Sequence, residues 1–273
     1  SYDVTRDDLT KVVRHAQSHG WLAADENSQE KALAALIRHI GDHVIRHGTP
    51  SLLRTGMRSN DRPENWSLLA WKAQVTRRAE AVMERRVPRY RVVNVSWLVE
   101  LVRLSAQPDG PARARDLLLS HGIILVIEPQ VVGMALDGAA FLVDDTPVIG
   151  MTLLRDTIDN FWFTLLHEVA HVVLHHRTGL AAGFFDDLTG QMIDEFEDEA
   201  NRFAGNLLIP EEAWAGSSAR ISKVAAPIER FASQLGIHPA IVFGRIRMER
   251  GDYKIFSDRI GRGEVRKQLL SNG

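Results

Sequence analysis

The 273-residue chain contains no cysteine. Disulfides, thiolate metal sites and any latency device in which a thiolate occupies a metal are therefore excluded. The absence also fits a cytosolic protein. No apolar run reaches the ~20 residues of a membrane span. Glu128, Pro129 and Asp137 interrupt the longest candidate. Neither sign of charge dominates: 33 Lys and Arg face 35 Asp and Glu, a net charge of −2. Composition thus gives no electrostatic case for direct nucleic-acid binding by the whole chain. Residues Asp3 to Asp8 are polar and charged, so no signal peptide is expected there. The chain opens on Ser1 rather than Met, which fits a trimmed start or residues missing upstream. What remains is an ordinary globular composition, long enough for one large domain or two small ones.

Against that background one stretch stands out, Phe161-Trp162-Phe163-Thr164-Leu165-Leu166-His167-Glu168-Val169-Ala170-His171-Val172-Val173-Leu174-His175. It has neither Pro nor Gly and is apolar nearly all round, as a buried helix should be. Its exceptions, Thr164, His167, Glu168, His171 and His175, recur at spacings of three and four and form one polar stripe. Such a stripe is tolerated in a core only if partners satisfy it. His167 and His171 lie one turn apart and can offer two imidazole nitrogens to one metal. Glu168 is rotated by about 100° and can reach a water beside the metal rather than the metal. That is the arrangement of a zinc hydrolase with a Glu general base. The bland alternative is two unrelated core histidines flanking a Glu.

Two histidines do not complete a catalytic zinc site, which needs a third protein ligand and an open position. The best source is the segment Ile193 to Pro210, read as a helix ended by Pro210. Its face Glu197, Ala200, Asn201, Ala204 carries small residues that let two helices approach closely. Glu197 is favoured by face as the ligand, and Asn201, one turn on, as a partner for a ligating histidine. Asp194, Glu195, Asp198 and Glu199 are the alternatives, although acidic residues also gather in first turns to complement the helix dipole.

Upstream, residues 1 to about 105 read as helical. One helix starts near Thr5 and stops before Gly20. A second fits Ser28 to Arg46 with Leu33, Leu36, Ile37, Ile40 and Val44 on one face, a third Trp66 to Arg85, and a fourth Val95 to Leu104. Residues 54–65 read as a loop. Trp66, Trp71 and Trp97 are expected in the core. Arg85, Arg86, Arg89 and Arg91 are expected on a solvated face, with contact to nucleic acid or an acidic partner as the other reading. After a short helix at 112–120 the period changes. Ile123 to Ile127, Ala139 to Val143 and Pro147 to Thr152 are strand-like, with a turn at Asp144-Asp145-Thr146. An edge of such a sheet could take a peptide by strand addition. Phe184-Phe185-Asp186-Asp187, in a Gly-bounded loop, reads as a lid or a substrate contact, or equally as a packed surface loop.

The pattern His167-Glu168-x-x-His171 followed by Glu197-x-x-Ala200-Asn201-x-Phe203-Ala204-x-x-Leu207-Leu208-x-Pro210 resembles the ImmA/IrrE-type zinc metallopeptidases. The resemblance runs from about Gly122, through Leu136-Asp137-Gly138-Ala139, to Gly236-Ile237-His238-Pro239 and Gly244-Arg245. It implies an α+β fold. The core is zincin-like: a small, mainly antiparallel sheet with the His-Glu helix and the Glu helix. The organisation expected is a helical N-terminal region (1–111), a metallopeptidase core (112–251) and a charged C-terminal tail (252–273), read as a helix with a frayed end. It also implies one Zn2+ per chain on His167, His171 and Glu197, with Glu168 as the catalytic base. His175, His238 and Arg245 are further candidates for oxyanion or substrate contacts, His175 and its neighbour His176 also reading as structural residues near a helix C-terminus.

Function is expected to follow. The resemblance implies a cytoplasmic endopeptidase acting on a protein, a helix-turn-helix repressor, to induce stress, mobile-element or phage-defence genes. DNA would enter only as an activator, and no membrane is involved. No helix-turn-helix is evident in the chain itself. Two other readings stand beside it: a non-proteolytic, zinc-containing module that holds a repressor or toxin, and a hydrolase of small amides or peptides.

Overall fold

The computed structural model describes residues 6–26, 28–47, 66–92, 95–131, 133–180 and 190–270. The expected loop at 54–65, the Phe184-Phe185-Asp186-Asp187 segment and the side chain of Trp66 lie outside that set.

Three strands, β1 (Ile124–Ile127), β2 (Gly138–Val143) and β3 (Thr146–Met151), form a sheet in the order β1-β3-β2. β2 and β3 make the expected hairpin, turned at Asp144-Asp145 with Asp144 at φ +51, a left-handed conformation that Asp tolerates better than most residues. The register pairs Val143 with Thr146 and Leu142 with Pro147. In a two-residue hairpin the closing pair exchanges hydrogen bonds and the next pair does not. Pro147, which lacks an N–H, therefore faces a residue that requires none from it. β1 pairs with β3 in parallel, Ile124 opposite Val148. The sheet expected to be mainly antiparallel thus carries one parallel pairing, made possible by the long connection through β2.

Alternation along the strands sends Val148 and Gly150 to one face and Ile149 and Met151 to the other. The first face is covered by α3 (Trp66–Met83), the third of the upstream helices after α1 (Arg6–Ser18) and α2 (Gln29–His47). The second is covered by α6 (Ile158–His175), which follows β3, while α4 (Trp97–Arg103) and α5 (Gly110–Ser120) lead from α3 into β1. The helical N-terminal region is therefore one layer of the same core. Trp71 and Trp97 are buried in it. On α2 the buried stripe is Ala32, Leu36, Ile40 and His43; Ile37, expected there, is 50% exposed. Buried Glu128, just after β1, ties the layers together. It accepts hydrogen bonds from Trp21 Nε1 and Arg78, while its backbone carbonyl accepts one from Trp71 Nε1.

Trp71 packs where the sheet has no side chain. A Cβ on Gly150 would lie 2.8 Å from Trp71 Cη2 and 3.1 Å from Val75 Cγ1. Trp71 is 1% exposed and pinned by its hydrogen bond, so it cannot give way. Gly150→Ala is expected to cost about 1–3 kcal/mol. In thermal unfolding this is a loss of several degrees, whereas an unchanged midpoint would mean that α3 shifts freely on the sheet.

α6 begins at Thr157, whose side chain accepts from Asn160 N. α7 (Gly190–Leu208) lies along it, followed by α8 (Glu211–Ala215), α9 (Ala225–Leu235), α10 (Pro239–Arg250) and α11 (Arg266–Leu269). α10 also packs on α6. The C-terminal stretch is more than the expected helix and frayed tail. Ile260 and Val265 are buried, and the Asp156 carboxylate accepts from Val265 N and Arg266 N, fastening this segment beside the start of α6. Among the described residues no helix is long and apolar enough to cross a membrane.

Candidate metal centre

The site is built where α6 and α7 cross. Phe161, Trp162, Leu165, Leu166, Val169 and Val172 bury α6, and that fixes which way its polar stripe points. Ala200 and Ala204 of α7 are fully buried at the crossing. Their small side chains let Glu197 come within reach of the stripe. His167 Nε2 and His171 Nε2 are 3.1 Å apart. Glu197 Oε2 lies 3.1 Å from the first and Glu197 Oε1 3.0 Å from the second. Among the described residues these three are the one group of metal-binding side chains whose ligand atoms converge. The flanking acids Asp194, Glu195, Asp198 and Glu199 do not join them.

The surrounding bonds show which atoms are lone pairs. His167 Nδ1 lies 3.0 Å from Asn201 Oδ1, and His171 Nδ1 lies 3.1 Å from His175 Nδ1. An amide oxygen only accepts, so neutral His167 carries its proton on Nδ1 and turns the Nε2 lone pair inward. Glu197 Oε1 is buried without a hydrogen bond of N–H geometry. Electron-rich atoms at such distances repel unless a proton or cation lies among them. Two nitrogens bound to zinc at 2.0–2.1 Å in tetrahedral geometry stand about 3.3 Å apart, close to the spacing seen here. The donor set of two imidazoles and one carboxylate therefore fits a divalent metal such as zinc.

Electrostatics agree. Burial alone would raise the Glu197 carboxyl, but its contacts with His167 and His171 outweigh burial and hold it down at about 2. Burial also lowers His167, yet the Glu197 contact and the charges of Glu168 and Glu197 prevail and raise it. His171 is lowered, first by burial and then by its histidine neighbours, with Glu197 offsetting only part.

Glu168 stands apart from the triad, as its rotation on the helix requires. It is 5% exposed. Burial pushes its carboxyl up to about 7; His167 opposes this, Glu197 adds to it, and a hydrogen bond from the Ala140 backbone partly offsets it. Gly138 makes room for it: a Cβ there would lie 3.2 Å from Glu168 Oε1 and 3.0 Å from Thr164 Cγ2. β2 thus supplies a backbone donor and a gap, two features with no side-chain signature. Phe163, 37% exposed, lies beside the triad, its ring centroid 6.4 Å from that of His167.

The remaining candidates separate. Asn201 is at the site. His175 is buried one layer behind it, between His171 and Glu199, whose Oε2 lies 2.9 Å from His175 Nε2. His176 instead packs against Tyr90, ring centroids 5.1 Å apart. His238 is not brought to the triad. It caps α10 by accepting from Ala240 N, and its own N–H donates to Ser105 Oγ. Arg245 pairs with Glu211 and Glu249 and lies over the Trp214 ring. The residue that sequence reasoning set aside is Glu199; the signal for it was a third histidine, His175, at the same four-residue spacing. A cleft of about 820 Å³ lies off the triad, lined by Val99, Leu174, Glu199, Arg202, Phe203 and Leu207 among others.

Residues 121–238 match the family model of the IrrE N-terminal-like domain, Peptidase_M78. The match holds β1 to β3, α6 and α7, and ends at His238, the cap of α10. No curated protein matches the chain.

Proposed function

We propose that this chain, carrying a peptidase-family IrrE N-terminal-like domain over residues 121–238, is a zinc-dependent endopeptidase that acts on a protein inside the cell. The observation that carries the reading is the convergence of His167 Nε2, His171 Nε2 and the Glu197 carboxylate beside a separate, buried Glu168. A purely structural metal site has no need of that fourth group. Bound at the triad, zinc supplies Lewis acidity, lowering the pKa of water toward ~7 and polarising a carbonyl.

The chain's own residues do the rest. His167 and His171, through Nε2, and the Glu197 carboxylate would hold the metal. Glu168 takes a proton from the attacking water onto its carboxylate and passes it to the leaving amine. Among the described residues β2 pairs on one side only. The hairpin register turns the backbone groups of Gly138, Ala140 and Leu142 toward the free edge. Ala140 serves Glu168 there, and an extended polypeptide lying along that edge would pass the catalytic base. This favours a protein substrate over a small amide.

The resemblance to the ImmA/IrrE-type peptidases points to a helix-turn-helix repressor as the substrate. The test is intact-mass spectrometry of a genetically neighbouring helix-turn-helix protein, incubated with zinc-loaded wild type and with Glu168→Gln, with and without DNA. Two complementary fragments with wild type alone are expected. An uncleaved partner in a stable complex with both proteins would replace the endopeptidase by a module that holds its partner.

A further inference from the structure

We infer that Glu199 and His175 form a positioning relay that fixes the tautomer of His171 and thereby the affinity of the triad for its metal. The inference rests on the zinc reading above and extends it to two residues that touch neither metal nor substrate.

The argument is one of proton counting. Glu199 Oε2 lies 2.9 Å from His175 Nε2, and a carboxylate can only accept. Neutral His175 therefore carries its proton on Nε2 and leaves Nδ1 as an acceptor. His171 Nδ1 is 3.1 Å from that atom. One proton must lie between the two nitrogens, and it has to come from His171. With its proton on Nδ1, His171 presents a bare lone pair at Nε2, the atom 3.0 Å from Glu197 and 3.1 Å from His167 Nε2. A carboxylate on the flank of α7 thus dictates which nitrogen of a ligand faces the metal. Were His175 to hold its proton on Nδ1 instead, His171 would have to accept there, and its own proton would occupy Nε2 where the metal binds.

Helix geometry explains why His175 plays this part and is not a fourth ligand. Each step of four residues turns about 40° past a full circle, so His175 sits some 80° round α6 from His167. That rotation takes it off the triad and toward α7. There the Phe196 ring packs at 4.3 Å between centroids, and His175 is 2% exposed. Its ring has little freedom. The side chain of Glu199 is 50% exposed, so its removal opens no hole in the core and can be read as loss of the relay alone. The two ligating histidines are thereby held by different means, His167 by the Asn201 amide and His171 by a charged relay.

The experiment compares wild type, Glu199→Ala and Glu199→Gln in zinc affinity, measured by competition with a chromophoric chelator, and in ring tautomer, read by nitrogen-15 NMR. Glu199→Ala is expected to bind zinc roughly 10–100-fold more weakly with an unchanged melting temperature of the metal-free protein. Glu199→Gln, whose amide oxygen still accepts from His175 Nε2, should recover most of the affinity. The spectra should show His175 protonated at Nε2 and His171 at Nδ1. If wild type binds zinc and Glu199→Ala binds it as tightly, or the tautomers are reversed, the relay is wrong while the metal reading stands. If wild type itself takes up no zinc, the metal reading fails and the relay falls with it.

Discussion

Glu168→Gln is expected to abolish peptide-bond hydrolysis, keep its zinc, and make the metal-free protein more stable above neutral pH. The first two effects follow from position. Glu168 lies outside the triad, so an isosteric amide leaves the ligands untouched. An amide cannot take up a proton at the working pH, so the rate should fall at least ~10²–10⁴-fold, the usual contribution of a positioned general base. The stability effect follows from burial. The folded-state pKa of Glu168 is raised to about 7 from 4.5. Below 4.5 both the folded and the unfolded chain hold the proton, and nothing is lost. Between 4.5 and about 7 the unfolded chain releases it while the folded one keeps it, so stability falls as pH rises through that window. Above about 7 the loss is complete and is of the order of 3 kcal/mol. Glutamine carries no such burden. Melts of chelator-treated wild type and variant should coincide near pH 4.5 and differ by roughly 6–10 °C at pH 8. A variant no more stable than wild type at pH 8 would show that Glu168 is not held in an apolar setting. Zinc should narrow the gap by favouring the ionised carboxylate in wild type.

Glu197→Ala should have the largest effect on metal binding. It removes one of the three converging side chains and the charge that most favours a cation at the site. The loss in zinc affinity should exceed the ~10–100-fold typical of an outer hydrogen-bonding partner, so the variant should emerge from dialysis without stoichiometric metal. Asp198→Ala, one residue away on the same helix, should retain it. Elemental analysis of both variants decides the point: metal retained by Glu197→Ala and lost by Asp198→Ala would move the third ligand to the neighbouring carboxylate. Without metal, the depressed Glu197 pKa of about 2 means that wild type carries a stabilising contribution above the ordinary carboxylate range. That contribution is lost as pH falls through about 2. The alanine variant has none to lose.

These two experiments probe what one sequence motif implies, and the surrounding fold sets their size. Glu168 would titrate like a surface carboxylate if β2 did not close over it. The Gly138 gap and the Ala140 donor bring the backbone of an edge strand against Glu168. The layer behind β2 is α3, held by Trp71 and by the Glu128 network to Trp21 and Arg78. The N-terminal helices therefore support the sheet on the face opposite the site.

The sequence by itself determined whatever depends on one helix. A four-residue spacing places His167 over His171, and a one-residue offset keeps Glu168 out of the triad, whatever the rest of the chain does. The small-residue face of α7 selected Glu197 and Asn201 for the same reason: helical periodicity is local and rigid. The hairpin of β2 and β3 was legible from its turn residues. Tertiary structure alone decided what depends on two elements meeting. It turned β1 parallel to β3, since strand direction is set by how the chain returns and not by strand composition. It placed His238 and Arg245 in a cap and an ion-pair network away from the triad, although their local sequence suited a cleft. It raised the Glu168 pKa through a glycine and a backbone N–H that carry no chemical label. It brought Glu199 to His175, because a contact between the flanks of two helices depends on their crossing, which no periodicity within either helix encodes.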